Sequence, residues 1–98
     1  MMMKYSIKVT SQFKRDLKLA KKCGFDINKL ENVVEMIASG DKTEELNHLY
    51  DDHELHGNWK NHRELHIAPD WLLIYKLFED VLVLSLTRTG SHSDLFKM

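Results

Sequence analysis

Arg63-Glu64-Leu65-His66-Ile67-Ala68-Pro69-Asp70-Trp71-Leu72-Leu73-Ile74-Tyr75-Lys76-Leu77-Phe78-Glu79-Asp80-Val81-Leu82-Val83-Leu84-Ser85-Leu86-Thr87-Arg88 is the stretch that decides the fold class. Apolar and β-branched residues form three strand-like runs, at residues 63–67, 71–78 and 81–87 or 88, and turn chemistry separates them. Ala68-Pro69-Asp70 turns the chain once and Glu79-Asp80 turns it again, which makes a three-stranded antiparallel meander. With Glu79-Asp80 as a two-residue hairpin, Phe78 faces Val81, Trp71 lies across from Arg88 and Asp70 across from Thr89. That register collects His66, Asp70, Trp71, Arg88 and the residues after it at one end of the sheet.

Working back toward the N-terminus, Tyr5-Ser6-Ile7-Lys8-Val9 alternates at period two and reads as a half-buried first strand. Thr10 or Ser11 caps a helix in which Phe13, Leu17 and Ala20 recur at helical spacing, and Gly24 closes it. Asp26 caps a second helix with Ile27, Leu30, Val33, Val34 and Ile37 as its buried stripe, ended by Gly40. The short connection makes these an antiparallel helical pair. Residues 41–61 are polar and turn-rich, a long surface connection with a short extended piece near Leu55. The expected architecture is α+β, a single domain over residues 1–98 in the order β-α-α-β-β-β. Two antiparallel helices pack on one face of an antiparallel-rich sheet, and the other face is free for a ligand.

Composition narrows the function classes. The chain has 98 residues, 43% hydrophobic and 30% charged, an ordinary soluble globular mixture. The lone Cys23 has no internal disulfide partner. No apolar run approaches the ~20 residues of a membrane span, so a cytoplasmic protein without membrane contact is expected. The net charge of −1 argues against a polyphosphate partner until its distribution is inspected. Residues 1–22 carry seven basic side chains against Asp16, a local +6; residues 23–56 carry nine acidic against two basic, a local −7. Lys14, Arg15 and Lys18 belong to the basic segment, a surface able to track phosphates.

Of six histidines, five (His53, His56, His62, His66 and His92) fall in the second half. Zinc sites usually pair Cys or His couples on rigid turns; no Cys accompanies these, and on a strand His62 and His66 would stand ~13 Å apart. Neither a metal nor a cofactor is therefore expected. Cleaving RNA without metal instead needs a base for the ribose 2′-hydroxyl, an acid for the departing 5′-oxygen and a fixed cation for the developing phosphorane charge. Histidine titrates near cellular pH and serves either proton role, and arginine is the forked, always-charged cation. His53, His66 and His92 are the proton-transfer candidates, Asp70 an orienting or proton-sharing partner, Arg88 the cation, and Phe96 or Trp71 a stacking platform for a nucleobase.

Three blocks carry a further signal. His53-Glu54-Leu55-His56-Gly57-Asn58-Trp59, the run from Arg63 to Tyr75, and Arg88-Thr89-Gly90-Ser91-His92-Ser93-Asp94-Leu95-Phe96 together resemble the YafQ branch of the RelE/ParE toxin superfamily. The resemblance spans the chain in element order, though the N-terminal helices match only as a pattern. It implies a ribosome-dependent messenger-RNA interferase that leaves a 2′,3′-cyclic phosphate, with His53, His66, Asp70, Arg88, His92 and Phe96 as its working set. It does not assign the acid and the base; His92 as acid, with His66 or Asp70 on the base side, is the preferred order. It also implies a cognate antitoxin, whose C-terminal segment would lie over the basic N-terminal helices by charge complementarity. Such toxins tend to be basic, so the acidic balance here leaves residues 1–22 as the site of ribosomal RNA contact. Two rival readings share the fold: a ParE-like toxin directed at gyrase, which needs no clustered histidines, and an inactive antitoxin-binding module.

Overall fold

Thr10 separates the first strand from the first helix. The structure, a computed structural model, describes residues 3–96. In it β1 (Ser6–Val9) leads to Thr10, whose hydroxyl accepts from the Phe13 N–H at 2.9 Å and so caps α1 (Ser11–Lys22). Cys23 and the left-handed Gly24 (φ 81°) close that helix. Asp26 accepts from the Asn28 N–H at 3.0 Å to start α2 (Ile27–Ser39). Gly40 ends it at φ 79°, where a Cβ would fall 2.6 Å from the Lys4 side chain. Then follow α3 (Thr43–Tyr50), β2 (His53–Glu54), a single 3-10 turn (Gly57–Trp59), β3 (Arg63–Ala68), β4 (Trp71–Phe78), β5 (Val83–Gly90) and α4 (His92–Phe96).

The strands form one sheet in the order β1-β5-β4-β3-β2. β1 runs parallel to β5 and the other three pairings are antiparallel, an α+β fold with an antiparallel-rich sheet as expected. The β4–β5 pairing differs from the sequence reading in two details. The β4–β5 turn contains residues 79–82 rather than Glu79-Asp80 alone, so Phe78 faces Val83 and not Val81. A primed two-residue turn demands positive φ, to which Glu-Asp is poorly suited; the longer turn places its left-handed residue at Leu82, φ 52°. The ladder also skips Thr87, a bulge that puts Tyr75 across from Leu86 and Ile74 across from Arg88. Arg88 and Thr89 therefore lie opposite Ile74 and Leu73, and the expected pairs with Trp71 and Asp70 do not form. β1 differs too: it is an edge strand with all four residues exposed, and the buried residue is Tyr5 just before it, donating to both Glu79 carboxylate oxygens at 2.7 and 2.8 Å.

Alternation along the strands separates two apolar layers. On the helical side, Phe13, Leu30, Val33, Ile37 and Leu46 pack against Leu65, Ile67, Trp71, Leu73, Tyr75, Leu84 and Leu86. On the opposite side a smaller cluster joins Leu72, Ile74 and Leu95 with the partly buried Leu55, Trp59 and Phe96. The second face is thus not bare: the segment after β2 and α4 cover part of it. Where α3 passes into β2, buried Asp52 accepts from Arg63 Nε at 2.6 Å and from the Tyr75 hydroxyl. Burial first, and the adjacent carboxylate second, hold the Tyr75 hydroxyl far above the ordinary tyrosine range despite the opposing pull of Arg63. This network pins the start of β2, and with it His53, to the sheet.

Candidate active site

β3 alternates across the sheet, so Leu65 and Ile67 face the helical core while Glu64 and His66 stand on the opposite side. His66 lies across from Leu72, which in turn lies across from Gly90, the last residue of β5. Immediately beyond Gly90 the chain enters α4, and this brings the His92 ring to 6.4 Å from that of His66, centroid to centroid. From the other side, β2 pairs with β3 and sets the His53 ring 6.4 Å from His66 as well. Phe96, one turn after His92, stands 5.2 Å from it, and Trp59 meets Phe96 edge-on at 6.4 Å. The result is a line of rings, His53, His66, His92 and Phe96, on the face away from the large core. It is bounded by the Leu72-Ile74-Leu95 cluster.

The groups around this line differ at each imidazole. His53 Nδ1 lies 2.7 Å from the Asp51 carbonyl, which can only accept, so Nδ1 carries the hydrogen; its Nε2 is 3.4 Å from buried Glu64. His66 Nδ1 is sealed from solvent with no hydrogen-bond partner among the described residues, and the Asp51 carboxylate stands 3.7 Å away. His92 is exposed at the start of α4. A sheltered imidazole and an exposed one, too far apart to bond each other and close enough to reach a single phosphodiester linkage, form an arrangement suited to proton transfer on both sides of a phosphorus. Among the described residues no group of three or more His, Cys, Asp or Glu is placed to hold a metal ion.

The remaining candidates fall outside this line. Asp70 is exposed at the β3–β4 turn and makes no side-chain hydrogen bond among the described residues. Trp71 is 3% exposed on the helical side, packed at 4.8 Å against Phe25 with its indole N–H donated to Thr89 Oγ1 at 2.9 Å. The expectation that it could serve as a base platform is corrected by its period-two position, which sends the ring into the core. Arg88 shares the face of Ile74 and Glu64, two strands from His66. Its Nε and Nη2 donate to Asp16 at 2.8 and 3.0 Å, leaving Nη1 without a partner among the described residues. Lys14, Arg15 and Lys18 are exposed on α1.

Asp16 is a functional neighbour that the sequence reading passed over. β1 stops pairing at Val9, so beyond it β5 would have a free edge; α1 lies along that edge, and Asp16 accepts the Thr89 N–H at 3.1 Å in place of a strand partner. Burial raises the Asp16 carboxyl, but Arg88, Gln12 and the Thr89 amide together hold it below the usual aspartate value. Its signal was visible: it is the one acid in a segment with seven bases. Asp51 and Glu64, which touch the histidines, had no comparable signal. A cavity of about 600 Å³ lies on the helical side between Tyr5, Ile37, Leu46 and Tyr75, and no histidine lines it. An open line of rings suits a chain substrate laid across a surface, where an enclosed cavity would suit a small molecule.

Residues 5–97 match the family described as the bacterial toxin of type II toxin–antitoxin systems, YafQ. The chain belongs to the YafQ toxin family. The mRNA interferase toxin YafQ of Escherichia coli K12 is 40% identical over 95 residues, covering 97% of this chain and 99% of that protein. The crystal structure of YafQ from E. coli BL21(DE3) superposes with a TM-score of 0.82 at 39% identity, covering 94% of this toxin and 98% of the other chain. YafQ in the E. coli DinJ-YafQ toxin–antitoxin complex gives 0.81 at 39% identity, with 96% and 99% covered. Family and fold thus agree with the motif blocks around His66 and His92.

Proposed function

We propose that this chain is the toxin of a type II toxin–antitoxin system and a metal-independent endoribonuclease that cleaves messenger RNA on the ribosome. The observation that carries this reading is the imidazole line: His66 between His53 and His92, with Phe96 at its end. In the reaction, His66 Nε2 takes the proton of the ribose 2′-hydroxyl as the 2′-oxygen bonds to phosphorus. The bond from phosphorus to the 5′-oxygen breaks, and protonated His92 supplies the proton that 5′-oxygen needs. The products are a 2′,3′-cyclic phosphate and a 5′-hydroxyl. Arg88, held by Asp16, offers its remaining N–H groups to the phosphorane oxygens, and Asp70 at the neighbouring rim shares in orienting or proton exchange. Phe96 stacks a nucleobase beside the scissile link. Lys14, Arg15 and Lys18 on the exposed side of α1 contact ribosomal RNA, and a cognate antitoxin neutralises the toxin through the same basic segment.

Support comes from the family match and from relatives named as mRNA interferases, with a relative found in complex with the DinJ antitoxin. These favour the nuclease over the gyrase-directed reading. The experiment is single-turnover cleavage of ribosome-bound transcript by His66→Ala and His92→Ala. Each variant should lose roughly 10²- to 10⁴-fold in rate, the usual contribution of a positioned acid or base. Circular dichroism and antitoxin binding should stay as in the parent toxin. Undiminished cleavage by both variants would remove the proposal.

A further inference from the structure

We propose that Asp51 is a positioning residue for both inner histidines, its backbone carbonyl fixing the tautomer of His53 and its carboxylate that of His66. The inference rests on the nuclease reading for its consequence and on separate geometry for its existence. Asp51 is the C-terminal cap of α3 in the left-handed region, φ 53°, and the next residue, Asp52, donates its N–H to the Leu46 carbonyl at 3.3 Å. That conformation is unfavourable for a residue with a Cβ, and here it turns the carbonyl and the side chain toward two different rings. The carbonyl accepts His53 Nδ1–H at 2.7 Å. The carboxylate, 78% exposed and free to rotate, stands 3.7 Å from His66 Nδ1.

His66 Nδ1 is what gives the contact its meaning. It is a sealed polar atom with no hydrogen-bond partner among the described residues, and the Asp51 carboxylate is the charged group within ion-pair distance of it. A small rotation of the exposed carboxylate satisfies the ring. Once Nδ1 carries a hydrogen directed at Asp51, Nε2 holds the lone pair, and Nε2 is the nitrogen needed to accept the 2′-hydroxyl proton. The carboxylate then offsets the positive charge the ring acquires during the step. The proton itself stays on the imidazole. Glu64 faces the other end of His53, so the two acidic side chains are divided between the two rings.

The test is Asp51→Asn, because asparagine tolerates the left-handed backbone and retains the main-chain carbonyl. Imidazole ¹⁵N shifts of the folded, substrate-free toxin should change at His66 toward loss of the Nδ1–H form, while those of His53 stay put. The turnover rate should fall roughly 5- to 10-fold with KM changed less than twofold, and Asp51→Glu should recover part of it. In a His66→Ala background the Asp51→Asn change should add nothing. Unchanged His66 shifts, or an equal loss of rate in the His66→Ala background, would overturn the proposal. The nitrogen shifts are read without turnover, so failure of this inference and failure of the nuclease reading give different results.

Discussion

Replacing Asp16 with Ala removes four hydrogen bonds at once: two from Arg88, one from the Thr89 amide and one from Gln12 Nε2 at 3.0 Å. The Thr89 amide is buried and would be left without an acceptor, which costs about 1–3 kcal/mol. Breaking a fully buried ion pair costs ~3–5 kcal/mol, but the Arg88 side chain is 22% exposed and water can reach it, so about 1–2 kcal/mol is the appropriate share. The Gln12 bond adds little, since Gln12 is partly exposed. The sum is about 3 kcal/mol, which for a domain of this size lowers Tm by roughly 12–24 °C. Asp16→Asn keeps one acceptor oxygen and should lose about half as much. Chemical denaturation read by tryptophan fluorescence measures both, with Gln12→Ala as the control that changes stability by less than ~0.5 kcal/mol. The pH dependence has a definite sign. Because the folded carboxyl lies below its unfolded value, its stabilisation is present above about pH 4 and is lost as pH falls through the lowered folded value. Asp16→Asn should therefore flatten the acid limb of the stability curve. A loss below about 1 kcal/mol for Asp16→Ala would refute the assignment of Asp16 as the clamp of the β5 edge.

Tyr75→Phe removes one donor from buried Asp52 and should cost about 1.5–3 kcal/mol by denaturant titration, with cleavage rate per folded molecule unchanged. An unaltered midpoint would show that the Asp52 network does not hold β2 to the sheet. Phe96→Ala should lower kcat/KM by roughly 5- to 150-fold, the value of ~1–3 kcal/mol of base stacking, while Phe96→Trp keeps most of the activity. Equal kinetics for Phe96→Ala and the parent toxin would exclude a stacking role.

The elements with strong local chemistry were legible in the sequence. Thr10, Asp26 and Gly40 cap the two long helices as their residue types predict, and β3 and β4 start at the residues expected. α3 lies in the segment whose sequence suggests only a surface connection, because it has no side-chain N-cap and buries only Leu46, with Leu49 left 63% exposed, so no apolar stripe marks it. α4 is five residues long, too short to show a period. The β4–β5 register depended on a turn whose left-handed residue, Leu82, is of a type that rarely adopts that conformation.

At the site, the histidines were found by residue type and by family blocks, and their adjacency follows from the sheet order. What sequence could not supply was the set of oxygens around them. Asp51 reaches two rings only because the chain reverses at the end of α3, and Asp16 reaches Arg88 across 72 positions in sequence. Trp71 illustrates the opposite case: a ring that residue type alone offers as a platform is removed from the surface by the pleat of β4.

Stripping the toxin with EDTA, exchanging that chelator away, and presenting the toxin with ribosome-bound transcript in the Mg²⁺ that keeps the ribosome intact plus a chelator selective for transition metals, then analysing the 3′ ends of the fragments, probes the imidazole mechanism at its root. Fragments ending in 2′,3′-cyclic phosphate, formed at the rate seen without chelator, are the predicted result. Cleavage abolished by the chelator in a form that added divalent metal restores at the toxin, or fragments ending in a free 3′-hydroxyl, would contradict it.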